Sequence, residues 1–271
     1  VREARPFGHY DLLELDERLF AKAERVVAME DVHDGQREPN VIGLRHDCDA
    51  WHSLATALNM AHWEAERGYR STYFLLHTSP YWHYDWFPAA VEEIASLGHE
   101  IGIHTDALAE AIRTGEDPDL ILERAIKRLR DLDFPVRGVV GHGSPLCIRQ
   151  RRSDEAKFAN DEQFAECRRP DHGDVDRIIA RGSSRIQLRP RPLSDFGLEY
   201  EALWCAHPWS WRCSDSGGQW LNPGFEETAD MFALQTDVTT LPSETEHPRQ
   251  LHMLIHPDWW ETAFVTAEVA R

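Results

Sequence analysis

In the stretch LRHDCDAWH, residues 44–52, two aspartates stand one residue apart at the end of an apolar run. In extended chain, residues two apart point to the same side. Asp47 and Asp49 therefore share a face, while His46 and Cys48 point the other way. Close carboxylates repel unless a cation sits beside them or one of them is protonated. Alone, such a pair reads as a solvated strand end, and its company changes the reading. GHEIGIHTD, residues 98–106, ends an apolar run with His104, Thr105 and Asp106. GHGSP, residues 141–145, ends another with His142, and LIHPDWW, residues 254–260, ends a third with His256. A lone histidine is ordinarily structural or merely exposed. Three at the ends of apolar runs, beside an aspartate pair at a fourth, point to a divalent ion, because imidazole and carboxylate together suit Zn²⁺ and its neighbours.

These residues need elements that present them together. From residue 10 to about 28, Leu12, Leu13, Leu15, Leu19, Phe20, Ala23, Val26 and Val27 recur at helical spacing, and EDVHDGQREPN follows as a polar linker. VIGLRHD reads as a short buried strand. HSLATALNMAHWEAERGY reads as a helix stopped at Gly68, STYFLL as a strand, and FPAAVEEIASLG as a helix ending at Gly98. HEIGIH is a strand, PDLILERAIKRLRDLD an amphipathic helix opened by Pro118, and VRGVVGH another strand. The first 145 residues thus alternate strand and helix, the pattern of parallel β/α units. Ligands in such folds sit beyond the C-terminal ends of the strands. Asp47 and Asp49, His77, His104 and His142 all stand there. Residues 147–195 are charged (RQRR, RRPDHGD, RPRP) and are expected to be a loop-rich insertion; residues 1–39 are expected to be a helical extension. LHMLIHPDWW is the last clear strand.

The chain has 271 residues, enough for a substantial core. Its formal net charge of -18 opposes broad binding to nucleic acid or to anionic membranes. The five cysteines form no CxxC pair, which disfavours a disulfide framework or a structural zinc knuckle. Reduced thiols, and an N-terminal stretch without the apolar core of a signal peptide, make the cytoplasm the expected setting. No stretch approaches the roughly 20 apolar residues of a membrane span.

LRHDCD, STYFLL, GHEIGIHTD, SDSGGQW and LIHPDWW, in that order, resemble the motifs of polysaccharide deacetylases, the carbohydrate esterase family 4 or NodB-homology family, in the branch that begins with RHDxD. The resemblance covers about residues 40 to 260. It implies a single catalytic domain with a distorted (β/α)7 barrel. It also implies metal-dependent hydrolysis of an acetyl or similar acyl group from an N-acylated sugar or related amide, a linear C–N bond other than a peptide bond. Carried over position by position, Asp47 is the general base, and Asp49 and His104 are metal ligands. His256 is the general acid, Leu254 lines the pocket for the acyl methyl, and Asp215 in SDSGG is a supporting carboxylate. Arg45 and Thr105, inside the matching motifs, are expected against the substrate. One position departs. The family's second motif supplies two histidines four residues apart, and Leu108 stands four residues after His104. His142 is taken as the replacement ligand on donor chemistry, with Asp106 next. The ion is expected to be Zn²⁺, with Co²⁺, Ni²⁺ or Mn²⁺ as alternatives.

The ten tryptophans accord with a sugar, since aromatic faces stack on pyranose rings, although core packing explains any one of them as well. Trp259 and Trp260, close after His256, are the candidates for the pocket wall. Other readings are weaker. SDSGG resembles the nucleophile motif of trypsin-like proteases, with Ser216 as nucleophile and His207 as base, but the front half is β/α rather than two β-barrels. No GxGxxG follows a strand and no GxxxxGK[ST] occurs. The arginines of residues 149–152 read as a solvated loop. The alternative from another class is a non-catalytic sugar-binding or regulatory relative, motivated by Leu108.

Overall fold

The computed structural model describes residues 10–35, 40–144, 146, 158–167, 177–181, 184–203, 211–215 and 250–261. In chain order the strands and helices are β1 (Tyr10–Asp11), α1 (Leu12–Arg18), β2 (Arg25–Val27), α2 (Met29–His33), β3 (Val41–Cys48), α3 (Ser53–Ala65), β4 (Thr72–Leu76), α4 (Phe87–Ser96), β5 (Glu100–Thr105), α5 (Ala107–Thr114), α6 (Pro118–Arg130), β6 (Gly138–Gly141), β7 (Arg177–Arg181), β8 (Ser184–Leu188), β9 (Tyr200–Glu201), β10 (Trp211–Ser214), β11 (Gln250–Ile255) and β12 (Trp260–Glu261). The fold is α/β. The contacts divide it into two compact units, Val1–Tyr73 with His83–Glu100 and His207–Arg271, and Phe74–Trp82 with Ile101–Ala206. Strand β4 runs from one to the other, with Thr72 and Tyr73 in the first and Phe74–Leu76 in the second.

In the first unit, β3 pairs in parallel with β11, and β11 with β10. The start of β3 also pairs with β2. All eight residues of β3 are buried, the mark of a strand covered on both faces. The apolar face carries Ile42 and Leu44 from β3 with Leu251, Met253 and Ile255 from β11. They join Leu12, Leu15, Leu19 and Phe20 from the amino-terminal segment and Met60 and Trp63 of α3 in one core. The opposite face of β3 carries Arg45 and Asp47. Leu254 lies opposite Arg45 and Ile255 opposite His46 in the register, so the next residue, His256, comes level with Asp47. The helical spacing expected over residues 10–28 holds for α1 and the short 3₁₀ turn Phe20–Lys22. Val26 and Val27 instead form β2, because β-branched residues fit the pleat and β3 offers a parallel edge for them.

In the second unit, β5 pairs with β6 and β6 with β9, again in parallel. The β5–β6 register sets Ile103 opposite Val139, His104 opposite Val140 and Thr105 opposite Gly141. Helix α6 begins as its sequence dictates. Asp117 accepts a hydrogen bond from the Asp119 N–H at 2.9 Å, and Pro118 occupies the first turn. Helix α5 was not expected. It ends at Gly115, whose φ of 78° is left-handed, and its Leu108 is fully buried. Within the expected loop-rich insertion, the described parts are 3₁₀ turns at Asn160–Gln163 and Ala165–Cys167 and an antiparallel hairpin of β7 and β8. The RQRR run, Ser216 and His207 lie outside the described residues.

Candidate functional site

In the first unit, the ends of β3, β11 and β10 gather an acid–base cluster. His256 follows directly on β11 and Asp215 directly on β10. The His256 Nδ1 lies 2.7 Å from Asp215 Oδ1, and the His256 N–H donates to the same carboxylate at 3.0 Å. The indole N–H of Trp260 donates to its other oxygen at 2.9 Å. Asp215 is fully buried and thus held in one orientation by three donors. A carboxylate facing Nδ1 fixes the proton there in the neutral ring and stabilises the doubly protonated one. The other nitrogen, Nε2, lies 3.7 Å from Asp49 Oδ2. Burial alone would depress this imidazole, but Asp215, with Asp49 and Asp47 behind it, raises its pKa to about 9. At neutral pH the ring carries a proton it can give away.

Asp47 is buried on the same face of β3, and the Arg45 guanidinium reaches its Oδ2 at 3.4 Å. Arg45 is itself almost fully buried, so its charge acts on Asp47 across protein rather than water. Asp258 joins the cluster without any forewarning in the sequence. It accepts from the Ser53 hydroxyl at 2.6 Å, and His52 Nε2 lies 3.4 Å away. Burial raises its pKa, opposed by Ser53 and His52. Burial, with Asp258, Asp47 and Asp49, also pushes the Cys48 thiol well up, so it stays protonated and is no nucleophile.

Behind β3, on the face opposite to Asp47, His46 Nε2 meets Glu64 Oε1 at 2.7 Å. The other Glu64 oxygen accepts from Ser71 at 2.6 Å and Tyr73 at 3.0 Å. Burial alone would raise the Glu64 carboxyl, but His46, His99 and Ser71 prevail and hold it below the ordinary value. This anchored carboxylate ties α3 to the strand that carries Asp47 and leads into Asp49.

In the second unit, β5 and β6 deliver a set of imidazoles. His104 ends β5 next to Thr105, and His142 follows β6. Their rings meet edge to face with centroids 5.0 Å apart. The His104 Nδ1 lies 3.1 Å from the Val140 carbonyl, which can only accept, so Nδ1 carries the proton and Nε2 the lone pair. Such backbone anchoring is how metal-binding imidazoles are held, and it fits His104 to a divalent ion through Nε2. His142 is held chiefly through its backbone. Its Nδ1 lies 3.4 Å from Asp106 Oδ1, and its N–H donates to the Thr105 carbonyl at 2.8 Å. Gly141, just before it, has no room for a Cβ, which would stand 2.7 Å from the Asp161 nitrogen. Asn160 completes the support. Its amide donates to Asp106 Oδ1 at 2.9 Å and to the His142 carbonyl at 2.8 Å, and its oxygen accepts from the Ala109 N–H at 3.2 Å. With Arg113 3.5 Å from its other oxygen, Asp106 is engaged on both sides as an orienting carboxylate. Nothing in the spacing singles out Asn160, which lies 18 residues beyond His142 in a charged stretch.

His77, just beyond β4, accepts from the Asp106 N–H through Nε2 at 3.0 Å. Burial lowers its pKa to about 4, with Asp106 opposing and His104 and His142 adding to the fall. It is a neutral ring with its proton on Nδ1.

The other expected residues fall as follows. Leu254 is half-buried, and its carbonyl accepts from the Asp215 N–H at 3.3 Å. The Thr105 hydroxyl is buried and accepts from the Ala107 N–H at 3.2 Å, at the start of α5. Trp260 is turned into the core, and Trp259, partly buried, packs against it. No protein-family model, no curated protein and no solved structure matches the chain.

Proposed function

We propose that the chain is a metal-dependent hydrolase that removes an acetyl or similar acyl group from an N-acylated sugar or related amide. The observation that carries the reading is the Asp215–His256 pair, an imidazole kept protonated by a buried carboxylate 2.7 Å away, on the same sheet edge as Asp47 and Asp49. The fold it calls for is the distorted (β/α)7 barrel of the polysaccharide deacetylases, with which the parallel strands of both units accord.

Asp49, His104 and His142 would hold one divalent ion, Zn²⁺ before Co²⁺, Ni²⁺ or Mn²⁺. Two imidazoles and a carboxylate are a donor set suited to zinc. His142 is preferred to Asp106 because Asp106 is already bonded to Asn160 and faces Arg113. When bound, such an ion supplies Lewis acidity, polarising an acyl carbonyl and acidifying water. Asp47 accepts the proton of the attacking water, with Arg45 beside it. His256 donates its proton to the departing amine, and Asp215 stabilises the imidazolium until then. Each acid–base step is worth roughly 10²–10⁴-fold.

The rival reading, a binding relative without turnover, draws on Leu108, which is fully buried where the family places a ligand. Metal content and turnover of the parent, Asp47→Asn and His142→Ala separate the two. The hydrolase reading expects about one ion per chain in the parent and in Asp47→Asn, lost in His142→Ala. It also expects turnover to fall roughly 10²–10⁴-fold in Asp47→Asn. A parent that takes up none of the four metals on reconstitution and hydrolyses no amide sinks it.

A further inference from the structure

Among the described tryptophans one is out of place. Trp63, Trp82 and Trp260 are at most 5% exposed, whereas Trp51 is 63% exposed. It stands two residues after Asp49, in the turn between β3 and α3. That turn is fixed rather than loose. The Ala50 N–H donates to the Ser53 hydroxyl at 2.7 Å, and the hydroxyl passes its own proton bond to Asp258 at 2.6 Å. The Ser53 N–H donates back to the Ala50 carbonyl at 3.1 Å. His52 Nε2 lies 3.4 Å from the same Asp258 oxygen, and the His52 ring meets the indole edge-on at 5.0 Å. A buried carboxylate on the far side of the unit's sequence thus braces a turn whose outward product is an open indole face.

Single exposed apolar side chains are ordinary, but this one stands two residues after Asp49 on a braced turn, and covering its indole face would remove apolar surface from water. A rigid aromatic on a braced loop loses little conformational freedom when a ligand arrives. We propose that Trp51 is the stacking platform for the substrate's sugar ring, and that the ring is a neutral pyranose. The inference rests on the hydrolase reading for the identity of the neighbouring chemistry. A pyranose has an apolar C–H face to lie on the indole and a hydroxyl rim for polar neighbours. The surroundings choose against an anionic ring. Asp49 stands two residues before Trp51, Asp258 lies 3.4 Å from the neighbouring His52, and the whole chain carries a formal charge of -18. The platform also adds a sugar contact before α3 to those expected of Trp259 and Trp260.

Calorimetric binding to the full chain tests this with three probes: N,N′-diacetylchitobiose as a neutral ring, N-acetylneuraminic acid as an anionic one, and N-acetylethanolamine as an acyclic amide. The expected result is that the parent binds the neutral ring more tightly than the anionic one. Trp51→Ala then weakens the neutral ring roughly 5- to 50-fold, Trp51→Phe retains most of the binding, and the acyclic probe is unaffected. Equal binding by parent and Trp51→Ala overturns the proposal, as does equal weakening of ring and acyclic probes or a parent that binds no ring probe. Hydrolysis of the acyclic amide without ring binding would overturn the platform and leave the hydrolase reading. Ring binding lost in Trp51→Ala, with no amide hydrolysed by the parent, would do the reverse.

Discussion

His256 and His77 each follow directly on a parallel strand, and burial pushes both imidazoles toward the neutral form. They end on opposite sides of neutrality, about 9 for His256 and about 4 for His77. The difference lies in what meets the ring. His256 has a fully buried carboxylate against Nδ1 at 2.7 Å. His77 has a backbone N–H against Nε2 at 3.0 Å, a donor that occupies the lone pair a proton would need. Asp106 is close enough to act on His77, but two further imidazoles act against it. Desolvation is thus a common background, and the single nearest partner decides the sign. The first unit keeps a proton ready to give; the second keeps the His77 ring neutral.

The harshest way to break this contrast is Asp215→Asn. Without the carboxylate, burial should win and bring the His256 pKa down to or below the ordinary 6.5, as a ring-proton NMR titration would read. Turnover near neutral pH should fall roughly 10²–10⁴-fold. An unmoved titration would mean that Asp215 does not set the charge of His256.

A smaller effect is expected in the second unit from Asn160→Ala. Asp106 and the His142 carbonyl would each lose a donor, so His142 would be less firmly aimed. Metal affinity should fall roughly 10- to 100-fold while secondary structure is kept. Competition with a chromophoric chelator measures it, and an unchanged affinity would remove Asn160 from the supporting set.

The mildest effect concerns stability. His77 has a folded pKa below its unfolded value, so its contribution is present above pH 6.5 and is lost as pH falls toward about 4. His256 has a raised pKa, so its contribution is complete below pH 6.5 and is lost as pH rises through about 9. The two together predict greatest stability between those limits. A loss of about 1–2 kcal/mol is expected on going from pH 6.5 to 5, and it should shrink in His77→Gln. Urea unfolding at pH 5, 7 and 9.5 would show it. A flat profile on the acid side would contradict the assignment to His77.

Much of the scaffold is legible in the sequence, because burial on both faces of a parallel strand leaves an apolar run with punctuated ends. VIGLRHD, STYFLL and HEIGIH become β3, β4 and β5 almost residue for residue. The amphipathic run from Pro118 becomes α6 for the same reason. Local pattern misleads where an element depends on a distant partner. Val26 and Val27 fit a helical spacing, but β3 recruits them as a strand. Leu108 reads as a missing ligand, and only the fold makes it a core residue of α5.

The chemistry-bearing residues divide in the same way. By itself the sequence determined which types stand at strand ends: Asp47, Asp49, His104, His142 and His256. Side-chain alternation along β3 sets Arg45 and Asp47 on one face and His46 on the other. Tertiary structure alone decided which partners these residues meet. Asp215 reaches His256 across 41 residues, Asp258 braces Ser53 across 205, and Asn160 ties Asp106 across 54. Protonation and orientation are set by the nearest donor or acceptor at about 3 Å. That neighbour is brought by the folded chain, from a distance in sequence that spacing cannot encode.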